Sequence, residues 1–213
     1  METKAFSVSL EKNPLISIKV IPGHFTTNNM HTNCYLDVSA LKSNTMVAKD
    51  VAHEMAIPYV SSIPVDTIVC MEKTEVIGAY VAQHLIHDSA SISGGNTIHV
   101  VSPVSNVYGN LIFPGSITEW ISGKHILLII ATVSSGRTLN SAVECISYYG
   151  GRLTGISSLY LASGVNLKYN VRSIFTSEDI PDYKLYNPSE CEMCRNGWEL
   201  DAIISSEGYT KIE

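Results

Sequence analysis

Basic residues are scarce in this sequence, and their distribution is uneven. No Lys or Arg occurs between Thr74 and Gly123. Across the chain, 14 Lys and Arg face 20 Asp and Glu, a net charge of −6. That balance leaves no basic face for a nucleic-acid backbone. Apolar runs are short, far below the ~20 residues that a membrane-spanning helix needs. The first twenty residues also lack the apolar core of a secretory signal. A cytoplasmic protein with neither nucleic-acid nor membrane partners is therefore expected. The five cysteines are odd in number and have no framework spacing, which fits reduced thiols better than a disulfide scaffold. Internal repeats, low-complexity tracts and a dividing linker are absent too, so residues 1–213 read as one domain.

The most informative stretch runs from Lys124 to Leu139. Ile126 to Ile130 are five large aliphatics without alternation, the pattern of a parallel strand buried on both faces. The run ends in Ser134-Ser135-Gly136-Arg137-Thr138. A helical pattern follows, with Leu139, Ala142, Val143, Ile146 and Tyr149 on one face and Gly150-Gly151 as its stop. A strand, a small hydroxyl-rich turn and a helix have the geometry of an anion cradle, a pattern that a capped crossover loop shares. Backbone N–H groups and the positive helix end converge there, and hydroxyls add donors.

Around this centre the chain alternates strand and helix. Leu15–Val20 reads as a half-exposed strand closed by Ile21-Pro22-Gly23. Gly23 to Asp37 reads as two extended pieces around an Asn-rich turn, which as a simple hairpin would carry its His residues on the surface. Helices are expected over Ser43–Met55, with Met46, Val47, Val51 and Met55 inward, and over Val76–Ile86. Strands are expected at Asp66–Cys70, Thr97–Val101, Gly155–Ala162 and, at a sheet edge, Val171–Phe175. Ser89–Asn96 reads as a Ser/Gly-rich loop, Ser102–Asn110 as a turn rich in breakers, and His99 as a packed core residue. The order is that of an α/β domain with its ligand at the carboxyl ends of the strands.

The central stretch resembles the phosphoribosyl pyrophosphate signature of type I phosphoribosyltransferases: an apolar strand, two acidic residues, then a Thr/Ser-Gly-x-Thr loop entering a helix. Ser134, Ser135, Gly136 and Thr138 match that loop, whereas Ala131 and Thr132 stand where the acidic pair belongs. Gly23, Phe25, His31 and Tyr35 match the hood of the orotate phosphoribosyltransferase branch, although the intervening turn here is Thr-Asn-Asn. The resemblance implies a twisted, mostly parallel sheet flanked by helices. An N-terminal hood would span about 1–40, the core about 41–180 and a short C-terminal tail about 181–213. It implies a 5′-phosphate site at Thr132, Val133, Ser134, Ser135, Gly136, Arg137 and Thr138, a pyrophosphate loop at Glu72 and Lys73, and a base hood at Phe25, Thr26 and Thr27. It further implies magnesium where catalysis occurs, and a homodimer. Arg137 would clamp phosphate or pair with Glu144 at the surface. Thr74 and Glu75 are poor choices for a diphosphate loop, since glycines ease backbone approach and Glu75 would repel the ligand. The cation-free span also covers the segment that in orotate enzymes carries Lys, Arg and His against the leaving pyrophosphate. Its loss removes a large catalytic contribution.

The tail holds Cys191-x-x-Cys194, half of a zinc site. The other two ligands would have to be distant His or Cys residues or belong to another subunit, and no thioredoxin-like strand precedes the pair to suggest redox chemistry. A similar Pro-x-x-Cys-x-x-Cys tail occurs in some orotate phosphoribosyltransferases. Trp198 and Leu200 are expected to dock the tail. Two functions follow from the resemblance: phosphoribosyl transfer to a nucleobase, impaired or altered by the missing acidic pair and basic loop, or a non-catalytic module that binds a nucleotide or sugar phosphate.

Overall fold

The computed structural model describes residues 2–60, 63–88, 97–164, 166–205 and 208–212. The expected 89–96 loop lies outside them. The chain opens with three strands, β1 (Phe6–Leu10), β2 (Asn13–Thr26) and β3 (His31–Asp37), paired antiparallel. β2 does not close at Pro22-Gly23 as the sequence suggested. It runs on to Thr26, with a register shift against β3 between Pro22 and Phe25. On its other edge the ladder with β1 stops at Val20, opposite Phe6, and the next partner starts only at Phe25. Proline's missing N–H therefore falls where the ladder is already interrupted, which is where a strand tolerates it.

Two helices follow, α1 (Ser39–Ser43) and α2 (Thr45–Ala56). α2 is the helix expected over Ser43–Met55, and α1 is a further short helix ahead of it; between them the side chain of Asn44 caps α2, accepting from the N–H groups of Met46 and Val47. That cap sets the helix phase. Val51 and Met55 turn inward, while Met46, expected inward, is 75% exposed in the first turn.

Strand β4 (Thr67–Cys70), helix α3 (Glu75–Asp88) and strand β5 (His99–Val101) come next. Two short strands, β6 (Val104–Ser105) within the expected turn region and β7 (Leu111–Ile112) just after it, pair as a small hairpin. His99 is half-buried and lies flat on Trp120, ring centroids 4.4 Å apart, so it is a stacked margin residue and not a core one. Then come β8 (His125–Val133), α4 (Arg137–Tyr148), β9 (Arg152–Leu161) and β10 (Arg172–Thr176).

These strands make one parallel sheet in the order β10-β9-β8-β4-β5, with β10 at the edge as expected. β8 lies at its centre, and its unbroken apolar run now has a reason. Leu127, Ile129 and Ala131 point into the core under α2 and α3, while Ile126, Leu128, Ile130 and Val133 point into the core under α4. Each residue of Ile126–Ile130 is fully buried, contributing about 1.5–3 kcal/mol per side chain.

The tail adds β11 (Leu185–Tyr186), helix α5 (Glu192–Arg195), β12 (Ala202–Ser205) and β13 (Gly208–Lys211). β11 joins β3, and β12 runs parallel to β2, so the tail completes the hood sheet. Trp198, expected to dock it, is 63% exposed. Docking instead uses Cys191, Met193 and Ala202, which are buried, and backbone bonds to His24. The hood histidines are likewise interior rather than on the surface, with His24 only 2% exposed. Among the described residues no helix is long and apolar enough to cross a membrane.

Candidate functional site

The carboxyl ends of β4 and β8 open into a cleft of about 740 Å³, with the hood turn opposite. Its wall on the β8 side is the run Ala131–Leu139, so every residue of the expected phosphate loop, Thr132 to Thr138, lines it. Gly136 is the N-cap of α4, with φ +78°, a left-handed conformation open to glycine at little cost. The turn brings the first N–H groups of α4 to the cleft, where they have no intrahelical partners. The first helical turn carries no acidic residue to compete for them.

Arg137 lines the cleft with the rest of the turn. Its guanidinium donates to the side-chain carbonyl of Asn29 in the hood turn. That bond ties the 132–138 turn to the hood across the cleft. The turn itself is braced by Thr27, whose hydroxyl accepts from the N–H groups of Asn29 and Met30 at 3.3 and 3.0 Å. Thr27, Asn28 and Asn29 line the cleft. Phe25 does not. It is fully buried among Tyr35 and Tyr209, and Thr26, also outside the lining, turns its hydroxyl onto the Thr27 carbonyl. Phe25 packs the hood core and so cannot also face the cleft.

Glu72 and Lys73 line the cleft, both with positive φ, 57° and 63°. Two adjacent non-glycine residues in this region cost about 1–2 kcal/mol each, strain of the kind held at functional sites. The conformation places the Glu72 carboxylate at the end of β8, where it accepts from the Thr132 N–H at 2.9 Å and from the Ala131 N–H. Burial pushes this carboxyl above its ordinary value, while those N–H groups and the Lys42 ammonium oppose the shift. Lys42, at the end of α1, donates to the Glu72 carbonyl at 2.9 Å and also lines the cleft. Nothing local in the sequence marked Lys42 for this place; it arrives through the α1–α2 break.

Thr74 is not part of a diphosphate loop. It is fully buried, its hydroxyl donating to the carbonyls of Met71 and Ile129 at 2.9 and 3.3 Å. Glu75 faces Ser102, accepting from its hydroxyl at 2.6 Å. Ala131, at one position of the expected acidic pair, is 2% exposed and packs into the core under α2 and α3. Deeper in the cleft stand Cys34, Tyr160 and Tyr183. Burial raises all three, the Cys34 thiol to about 12, so it is an un-ionised wall and no nucleophile.

Cys191 and Cys194 lie away from this cleft, against His24 and His31.

No protein-family model matches the chain, and no curated protein matches it. Solved structures do. The orotate phosphoribosyltransferase of Mycobacterium tuberculosis H37Rv, in complex with Fe(III) dicitrate, aligns over 76% of this chain and 91% of its own, with 13% identity and a TM-score of 0.53. The UMP synthase of Leishmania donovani aligns over 71% of this chain and 32% of its own, with 16% identity and a TM-score of 0.51. At such identities the likeness is one of fold: the chain has the type I phosphoribosyltransferase fold.

Proposed function

We propose that this chain binds a phosphorylated ribose, free or within a nucleotide, with the 5′-phosphate at residues 132–138. One observation carries the reading: the acid-free start of α4, entered through left-handed Gly136, opens into the cleft. N–H groups at a helix start suit a phosphate because they donate without competing charge. The base end of the ligand would meet the 27–29 turn.

Transfer of the phosphoribosyl group, the activity suggested by the fold, is impaired in this reading. Ala131 and Thr132 supply no carboxylates for ribose hydroxyls or for a cationic sugar, and no basic loop steadies a departing pyrophosphate. The carboxylates at hand, Glu72 and Glu75, already accept from N–H groups and from Ser102. That donor set does not fit a resident magnesium ion; magnesium would enter with a diphosphate-bearing ligand. A second reading, residual transfer activity, draws on Glu72, which brings one carboxylate to the end of β8 from the neighbouring strand.

Thermal unfolding in the presence of candidate ligands separates the two. A ligand at a hundred times its dissociation constant adds about 2.7 kcal/mol, roughly 5–10 °C for a chain of this size. Stabilisation by ribose 5-phosphate and nucleoside monophosphates, independent of magnesium, is the expected result. Stabilisation by phosphoribosyl pyrophosphate only with magnesium would favour the enzyme. Silence from every phosphorylated ligand would contradict both.

A further inference from the structure

We propose that His24, His31, Cys191 and Cys194 form a structural zinc site that fastens the tail to the hood. The four side chains come from three places: a bulged stretch of β2, the first residue of β3, and the single helical turn of α5. Their ligand atoms lie within 4.8 Å of one another. The individual separations are more telling. His24 Nε2 is 3.2 Å from His31 Nδ1, 3.5 Å from Cys191 Sγ and 3.7 Å from Cys194 Sγ, and Cys194 Sγ is 3.3 Å from His31 Nδ1. Tetrahedral zinc with its usual bond lengths sets N–N edges of about 3.3 Å and N–S edges of about 3.6 Å. Those four edges have the dimensions of that tetrahedron, and the two edges from Cys191 to Cys194 and to His31 stay within 4.8 Å.

Hydrogen bonding around His24 points the same way. Its Nδ1 lies 3.1 Å from the carbonyl oxygens of both Trp198 and Glu199, so Nδ1 carries the proton and donates. Nε2 then holds a lone pair, directed at two thiols and a second imidazole. One lone pair accepts one proton, so these groups cannot all satisfy it by hydrogen bonding. A cation at the centre satisfies all four at once, and the Nδ1–carbonyl bond is the outer support that fixes a metal-bound histidine.

The surrounding chain is shaped to deliver these ligands. Cys191 and Cys194 are three apart, on one side of the α5 turn. Gly197, with φ +74°, then reverses the chain so that Trp198 N–H reaches the Met193 carbonyl, bringing the next carbonyls to His24. The Asp201 carboxylate accepts from the His24 N–H at 2.7 Å, a second tie between tail and β2. Two thiolates with two imidazoles, and no open position for substrate, mark a closed zinc site, not a catalytic one. On binding, each thiol S–H breaks, each sulfur bonds the metal, and two protons leave to solvent. The imidazoles bind through lone pairs without losing protons. The hairpin between the two histidines carries Thr27–Asn29, so the metal would brace the turn that faces the cleft. The site stands independently of what the cleft binds.

Metal analysis of the purified full-length chain tests this, together with cobalt titration of the reduced, metal-free protein. About one zinc per chain is expected, and cobalt should give the absorption of a tetrahedral thiolate complex. Cys194 is exposed, so Cys194→Ser should keep its circular dichroism while losing most of the metal and the thiolate-to-cobalt band. Chelation should lower the melting temperature of the wild type and leave the variant unmoved. A folded, reduced wild type that takes up neither metal, and whose Cys191 and Cys194 alkylate equally fast with and without zinc, overturns the proposal. Undiminished zinc in folded Cys194→Ser also overturns it.

Discussion

The Glu72 carboxylate reaches from the end of β4 to the backbone N–H of Thr132 at the end of β8, 2.9 Å away. It fills space beside the position where the resemblance requires an acidic pair, and it does so through a left-handed backbone that a non-glycine residue adopts only at a cost.

This buried carboxylate should make stability depend on pH. Burial raises Glu72 above its ordinary value, against the pull of the Thr132 and Ala131 N–H groups and Lys42. The unfolded chain therefore ionises first as pH rises. The contribution of the neutral carboxyl is complete below the unfolded value and is lost as pH climbs through the folded one. Glu72→Gln cannot ionise, so it should gain stability relative to wild type as pH rises out of the ordinary carboxylate range. Urea midpoints for both proteins from about pH 4 to about pH 7 check this. Parallel curves would contradict it.

Gly155 should not tolerate a methyl group. A Cβ there would stand 2.4 Å from Tyr59 Cε1. Tyr59 has little room to yield, because its hydroxyl bonds Ser157 Oγ at 3.0 Å and the Ile156 carbonyl at 3.3 Å. Gly155→Ala is expected to cost about 1–3 kcal/mol, lowering the melting temperature by roughly 2–4 °C for each kcal/mol. An unchanged melting temperature would show that the helix layer over β9 is looser than described.

Gly136 should matter to both stability and binding. At φ +78° an alanine is strained, and Gly136→Ala should cost about 1 kcal/mol and weaken binding of ribose 5-phosphate. Denaturation and a ligand titration on the same variant separate the two losses.

Much of the fold was legible because burial leaves periodic traces. The unbroken run Ile126–Ile130 announced a strand covered on both faces, and the spacing of Leu139, Ala142, Val143 and Ile146 announced the helix beneath it. The short helix α1 was not legible from apolar spacing, and neither was the exposure of Met46 in the first turn of α2, next to the Asn44 cap. The strand through Pro22 was hidden for a related reason: tolerance of proline depended on where β1 and β12 begin and end. In the cleft, the turn at 134–138 carried a local signature. Lys42 and the Asn29–Arg137 bond arise only when distant segments meet, and nothing in their own neighbourhoods foretells it. The same holds for Cys191 and Cys194, whose histidine neighbours lie 160 or more residues earlier in the chain.

The central claim, a phosphate held at the start of α4, is tested most directly by calorimetric titration of ribose 5-phosphate and of ribose into wild type and Thr138→Asp. Thr138 is exposed in the first turn of α4, where an added carboxylate favours the helix by about 0.3–1 kcal/mol yet repels a phosphate. Wild type should bind ribose 5-phosphate and not ribose. The variant should be as stable or more so and should lose the binding. Equal affinity in the two proteins, or no binding of ribose 5-phosphate by wild type, would contradict the claim.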